Sequence, residues 1–129
     1  MKQNLDDTTL CKASLLAGAL GDSMGADVEF NGLELIRRKH PTGITSLAKK
    51  MAPANWFTDD TQMTLFTAEG LISSNIERAL SGRPLINKFM HHAMLRWYAT
   101  QGGISKIKTD LTKGIVQGNA LWFLASPGL

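Results

Sequence analysis

The segment between Pro84 and Gly103 constrains the fold more than any other. Leu85, Ile86, Phe89, Met90, Ala93, Met94, Trp97 and Tyr98 fall in pairs that recur every four residues. On a helix this spacing gathers them into one wide apolar stripe. Pro84 stands where a first helical residue is favoured, and Gly102-Gly103 stops the pattern. A helix with so broad a stripe must bury it against other elements. No stretch of the chain alternates apolar and polar residues as a half-buried strand would, and no internal repeat is visible. The expectation is an all-α fold, a compact orthogonal helical bundle.

The other helices are read from their caps and breakers. Asp7 or Thr8 can cap a first helix reaching Leu20 or beyond. Ala13, Ala17, Gly21 and Gly25 recur along it every four residues and make one face nearly flat. That face is expected to pack tightly in a water-soluble core, because the segment is too short and too polar at Asp22 for lipid. Residues 32–39 read as a short helix ended by His40-Pro41. Residues 42–55 form a connection broken by Gly43 and Pro53. A further helix is expected from about Thr58 to Ser73, with Met63, Phe66 and Leu65, Ala68, Ile72 at helical spacings.

Length and composition set the class. The 129 residues suit one domain. Hydrophobic content of 43% beside 19% charged residues argues against disorder. The net charge of +3 is small, and Arg37-Arg38-Lys39, Lys49-Lys50 and Lys106/Lys108/Lys113 lie apart, so no nucleic-acid partner is expected. Cys11 is the single cysteine, which excludes an internal disulfide and a thiolate zinc cluster and fits inert packing in a reducing compartment. No apolar run reaches the roughly 18 residues of a membrane span. Asp6 and Asp7 precede the first apolar run, the reverse of a secretory signal, so a cytoplasmic location without membrane partners is expected.

Thr58-Asp59-Asp60-Thr61 carries the chemistry. Two carboxylates between two hydroxyls open an apolar, helix-periodic run. Thr58 can accept a hydrogen bond from the second or third helical amide, and early aspartates suit the helix dipole, so a capped helix explains these residues by itself. The same oxygen-rich corner suits a hard divalent cation. Neighbouring helical side chains diverge by about 100°, but a cation near the irregular helix start can still reach both. Capping and metal binding are compatible.

Other candidates have plain alternatives. Gly21-Asp22-Ser23-Met24-Gly25-Ala26-Asp27-Val28-Glu29-Phe30 crowds three acids at a helix end, where anions are unfavourable. They are either solvated turn residues or have a cation or partner nearby. His91 and His92 are adjacent on a helix and cannot easily share one metal. Gly114-Ile115-Val116-Gln117-Gly118-Asn119 is either an ordinary turn or a glycine-rich approach to a phosphate. Leu121-Trp122-Phe123-Leu124 is strongly apolar close to the end of the sequence. Such a segment needs cover, from the chain itself or from a second chain.

Two segments together resemble a known family. Leu16-Ala17-Gly18-Ala19-Leu20-Gly21-Asp22-Ser23-Met24-Gly25 followed by Val28-Glu29-Phe30 resembles the opening of the ADP-ribosylglycohydrolases. Trp56-Phe57-Thr58-Asp59-Asp60-Thr61-Gln62-Met63 looks like that family's metal motif, at the expected distance and with Pro41-Thr42-Gly43 between. The resemblance implies an all-helical fold and a two-magnesium centre that hydrolyses the bond between ADP-ribose and a protein side chain or another ADP-ribose. By matching positions it implies that Thr58, Asp59 and Asp60 are metal ligands, with Asp59, Asp60 and Glu29 catalytic. Gly118 and Asn119 match, less closely, a loop that binds the diphosphate.

Two departures set further expectations. The family's second metal motif, an Asp-x-Asp-Thr run, has no counterpart after Thr61, and Gly118-Asn119 leads into Ala120-Leu121 rather than the family's continuation. The chain is therefore expected to be a single partial domain over residues 1–129, incomplete beside the full family fold. It should hold one magnesium ion or none, and its hydrolase activity should be weak or absent. Its expected partners are ADP-ribose or an ADP-ribosylated protein. The alternative function is a non-catalytic module that recognises such a protein or the toxin that modifies it. A plain helical interaction domain is the third reading.

Overall fold

A computed structural model describes residues 6–45, 58–102 and 114–116. Four helices and no strand occur among them: α1 (Asp7–Gly25), α2 (Leu33–Lys39), α3 (Asp59–Ser81) and α4 (Ile86–Thr100). The all-α expectation therefore holds. The chain divides into two compact units, Met1–Thr61 and Gln62–Leu129. Among the described residues no helix is long and apolar enough to cross a membrane.

In the first unit, α1 begins one residue earlier than its expected caps. Asp6 stands in extended backbone and its carboxylate accepts hydrogen bonds from the Thr9 amide at 2.9 Å and the Thr9 hydroxyl at 2.8 Å. Asp7 lies inside the first turn, where its charge suits the dipole. The helix closes with the Ala26 amide donating to the Asp22 carbonyl at 2.9 Å. The Asn31 side-chain amide then donates to the Asp27 carbonyl and ties the following turn together. Helix α2 starts after Gly32 and stops at His40, as the proline at 41 requires.

The side of α1 that meets the rest of its unit is not the small-residue face. Leu15, Ala19 and Asp22 are half-buried and Ser23 is buried, whereas Ala13, Ala17 and Gly21 are exposed. A Cβ added at Gly18, Gly21 or Gly25 would meet nothing within 4 Å. The expected tight packing along that face is absent among the described residues. The Leu15–Ala19–Asp22/Ser23 side takes the burial instead, and the polar groups at its end find partners there. Cys11 is likewise exposed rather than packed.

The second unit is a helical hairpin. The continuing α3 runs eight residues past its expected end at Ser73. Ser74 is buried rather than terminal, and Ile76, Ala79 and Leu80 continue the helical spacing. Gly82 ends it in the left-handed region at φ 72°, with its amide donating to the Arg78 carbonyl. Pro84 precedes α4 rather than opening it, since Leu85 is the capping residue. Gly102, at φ 78°, follows the last turn.

The core of this hairpin mixes apolar and polar groups. Phe66 and Ala93 are buried to 2% exposure, and Gln62, Glu69 and Arg96 are buried beside them. The Gln62 side-chain carbonyl accepts from Trp97 Nε1 at 3.2 Å and from Gln101 Nε2 at 2.8 Å. Glu69 and Arg96 form an ion pair. Their free ends reach residue 116: Arg96 Nη2 donates to its carbonyl at 2.8 Å, and its amide donates to Glu69 Oε2 at 2.6 Å. The guanidinium also lies over the Phe66 ring, 5.6 Å from its centre. Arg96 Nε is buried and has no hydrogen-bond partner among the described residues. Paired charges at this depth are tolerable only because nearly every donor and acceptor is met.

Candidate functional site

The candidate site is the start of α3. Thr58 is buried, Asp59 is half-buried and Asp60 is exposed. The Thr58 hydroxyl accepts a hydrogen bond from the Asp60 amide at 3.3 Å, so the capping expected of Thr58 is present. It is only part of the cap. The Asp22 carboxylate, from the last turns of α1, also sits at this helix start. Asp22 Oδ2 accepts from the Thr58 amide at 2.9 Å and the Thr61 amide at 3.2 Å. The Thr58 hydroxyl donates a short hydrogen bond to Asp22 Oδ1, and the Thr61 hydroxyl another to Oδ2.

This arrangement follows from two mismatches in the sequence. A carboxylate in the last turn of α1 faces the negative end of its own helix dipole, and no basic residue stands in that turn. The first turn of α3 carries amides with no intrahelical acceptor. Bringing Asp22 to those amides relieves both. Four donors on one carboxylate, two of them hydroxyls, also meet most of its acceptor capacity.

Asp59 and Asp60 are left differently. Among the described residues their carboxylates accept no hydrogen bond and form no ion pair. They occupy the first helical turn, where the dipole favours anions. Glu29 lies exposed in the turn after α1, next to buried Val28, and makes no hydrogen bond or ion pair among the described residues. Gly118, Asn119 and the apolar segment from Leu121 to Leu124 lie outside the described residues. Among the described residues no group of three or more His, Cys, Asp or Glu is gathered as a metal cluster would be. His91 is exposed and His92 half-buried, with their rings edge to face at 6.3 Å.

The sequence alone left the partner of Asp22 open. Its signal was there in part, as an anion at a helix C-terminus without a cation on the same turn. The length of chain between Asp22 and Thr58 hid which element would answer it.

The described residues form helices without strands, with hydroxyls and carboxylates gathered at the start of α3. The ADP-ribosylglycohydrolase family model matches residues 3–126, nearly the full length, and the chain belongs to that family. No curated protein and no solved structure matches it.

Proposed function

We propose that this chain carries the aspartate motif of a magnesium-dependent glycohydrolase, one that releases ADP-ribose from a modified protein side chain. The observation that carries this reading is the start of α3. Two adjacent carboxylates stand there with no cation of the protein against them among the described residues, on a turn that a third carboxylate anchors. The donor types fit magnesium. Thr58, Asp59 and Asp60 offer hard oxygens, and the Thr58 hydroxyl sends its proton to Asp22 and keeps a lone pair for a cation. These three residues would hold the metal. When bound, it would orient ribose hydroxyls and a water molecule and offset negative charge.

The remaining roles fall to the chain's own groups. Cleavage at the ribose carbon builds positive charge on the sugar, and water supplies the new oxygen. The Glu29 carboxylate, exposed and unpaired among the described residues, can stabilise that charge or take the proton from the water. Gly118 and Asn119 are assigned to the diphosphate of the nucleotide sugar. Asp59 and Asp60 would hold the ion that orients water and ribose. ADP-ribose or an ADP-ribosylated protein is the proposed ligand and the cytoplasm the proposed location.

Calorimetric titration of the chain with magnesium and then ADP-ribose tests this reading. Binding of both that is lost in the Asp59→Ala/Asp60→Ala variant is the expected result. Heats unchanged by that double substitution overturn it. Capture of an ADP-ribosylated protein that needs neither magnesium nor the two aspartates would instead assign the chain a non-catalytic recognition role.

A further inference from the structure

We propose that Asp22 is a positioning residue for this centre: it fixes the first turn of α3 and turns the Thr58 hydroxyl so that its oxygen, not its proton, is offered to a cation. The proposal rests on the reading of Thr58, Asp59 and Asp60 as magnesium ligands.

Asp22 binds the turn that carries Asp59 and Asp60, which invites its assignment as a further ligand. The hydrogen bonds argue against it. Asp22 spends Oδ2 on two amides and one hydroxyl, and Oδ1 on the Thr58 hydroxyl. Its charge is used on donors of the protein rather than held open. Thr58 receives the complementary arrangement. Its hydroxyl proton points at Asp22 Oδ1, and the oxygen still accepts from the Asp60 amide at 3.3 Å. A hydroxyl has one proton and two lone pairs. With the proton committed to Asp22, only oxygen density remains for an incoming ligand, which is what a hard cation requires.

Thr61 completes the anchor. Its amide and hydroxyl both donate to Oδ2, so the turn is held at both ends of the Asp59-Asp60 pair. Buried Thr58 and Thr61 flank those aspartates, which are half-buried and exposed. The anchored residues are inside, and the residues they carry face outward.

The substitution Asp22→Asn separates positioning from mere packing, because it preserves shape. An asparagine oxygen in the place of Oδ2 still accepts from the Thr58 and Thr61 amides. Its NH2 then faces the Thr58 hydroxyl, which must accept instead of donate. The threonine proton swings outward, against a cation. Groups that orient metal ligands from behind typically cost about 10- to 100-fold in metal affinity when altered. Magnesium affinity of the full chain should fall roughly tenfold or more in Asp22→Asn, with helix content by circular dichroism unchanged.

Amide hydrogen exchange of the unsubstituted chain gives an independent readout. Amides at the start of a helix ordinarily lack an acceptor and exchange quickly. The Thr58 and Thr61 amides should be protected relative to the Asp59 amide, because only the former two reach Asp22. Fast exchange at Thr58 and Thr61 overturns the anchor. Protection of both with magnesium affinity unchanged in Asp22→Asn overturns the orienting role. Protection of both in a chain that binds no magnesium removes the metal reading and leaves Asp22 as the anchor of the turn.

Discussion

Gly70 of α3 faces Met90 of α4 with no room for one more carbon. A Cβ at position 70 would lie 2.7 Å from Met90 Sδ, 3.1 Å from its Cα and 3.3 Å from its amide nitrogen. The sulfur could swing aside, but the backbone of α4 could not. Gly70→Ala must therefore push the two helices apart or strain them. Overpacking of this kind costs about 1–3 kcal/mol, more than the roughly 1 kcal/mol that alanine gains over glycine inside a helix. Gly18→Ala in α1 meets nothing within 4 Å and should stabilise by up to about 1 kcal/mol. Urea denaturation of the two variants should show shifts of opposite sign.

The buried Glu69–Arg96 pair should behave as a unit. Both side chains are almost entirely enclosed. Arg96→Leu leaves the Glu69 carboxylate buried with, among the described residues, only the Val116 amide to accept from, and should cost about 3–5 kcal/mol. The double change Glu69→Leu/Arg96→Leu should recover part of this loss. It cannot recover all, because the Val116 amide and carbonyl then lose their partners, at about 1–3 kcal/mol for each group left buried. A double-mutant cycle by equilibrium unfolding measures the coupling. Strictly additive single losses would show that the two charges do not depend on each other.

The helical class was legible because α4 writes its partner-seeking face in pairs every four residues; the structure buries Ala93 on that face, while Ile86 and Tyr98 are exposed and the buried Arg96 and Thr100 lie off the stripe. Element ends were less legible. The adjacent serines at 73 and 74 read as a stop, yet Ser74 is buried and α3 continues to Ser81, where Gly82 supplies the real termination. Local polarity cannot distinguish a polar end from a polar residue enclosed by a neighbouring helix. The flat face of Ala13, Ala17 and Gly21 misled for a related reason: spacing shows that a close approach is possible, not that another backbone makes it. At the candidate site, the capping role of Thr58 could be read from its position. The carboxylate that completes the cap comes from another helix, and no local pattern records it.

Asp6 makes the start of α1 sensitive to acid. The Thr9 amide, and next the Thr9 hydroxyl, donate to its carboxylate and hold its pKa below the ordinary 3.8. A depressed carboxylate pKa means that the folded state favours the charged form. The stabilisation is present in full above the ordinary value and is lost as pH falls through the folded one. The Thr9 amide should therefore stay protected from hydrogen exchange near neutrality and lose protection as the pH falls below the ordinary 3.8 and through the lower folded value. Asp6→Asn keeps an oxygen acceptor at the cap and should remove this pH dependence. A profile that is the same for the two chains would show that some other group controls the helix start.

Turnover should be limited by the number of oxygens the chain can bring to a cation. Magnesium seeks six in near-octahedral geometry and gives up its water reluctantly. The aspartate motif offers three, and no Asp-x-Asp-Thr run follows Thr61 in the 129-residue sequence. Water would have to fill the other positions of an ion held there, so these residues would hold it loosely. With millimolar magnesium and an ADP-ribosylated protein, the purified chain should release ADP-ribose slowly or not at all. It should still bind the free nucleotide sugar in an Asp59- and Asp60-dependent way. Rapid metal-dependent release by this chain alone would mean that further ligands come from residues not assigned to the centre, and the three-oxygen account would have to be given up.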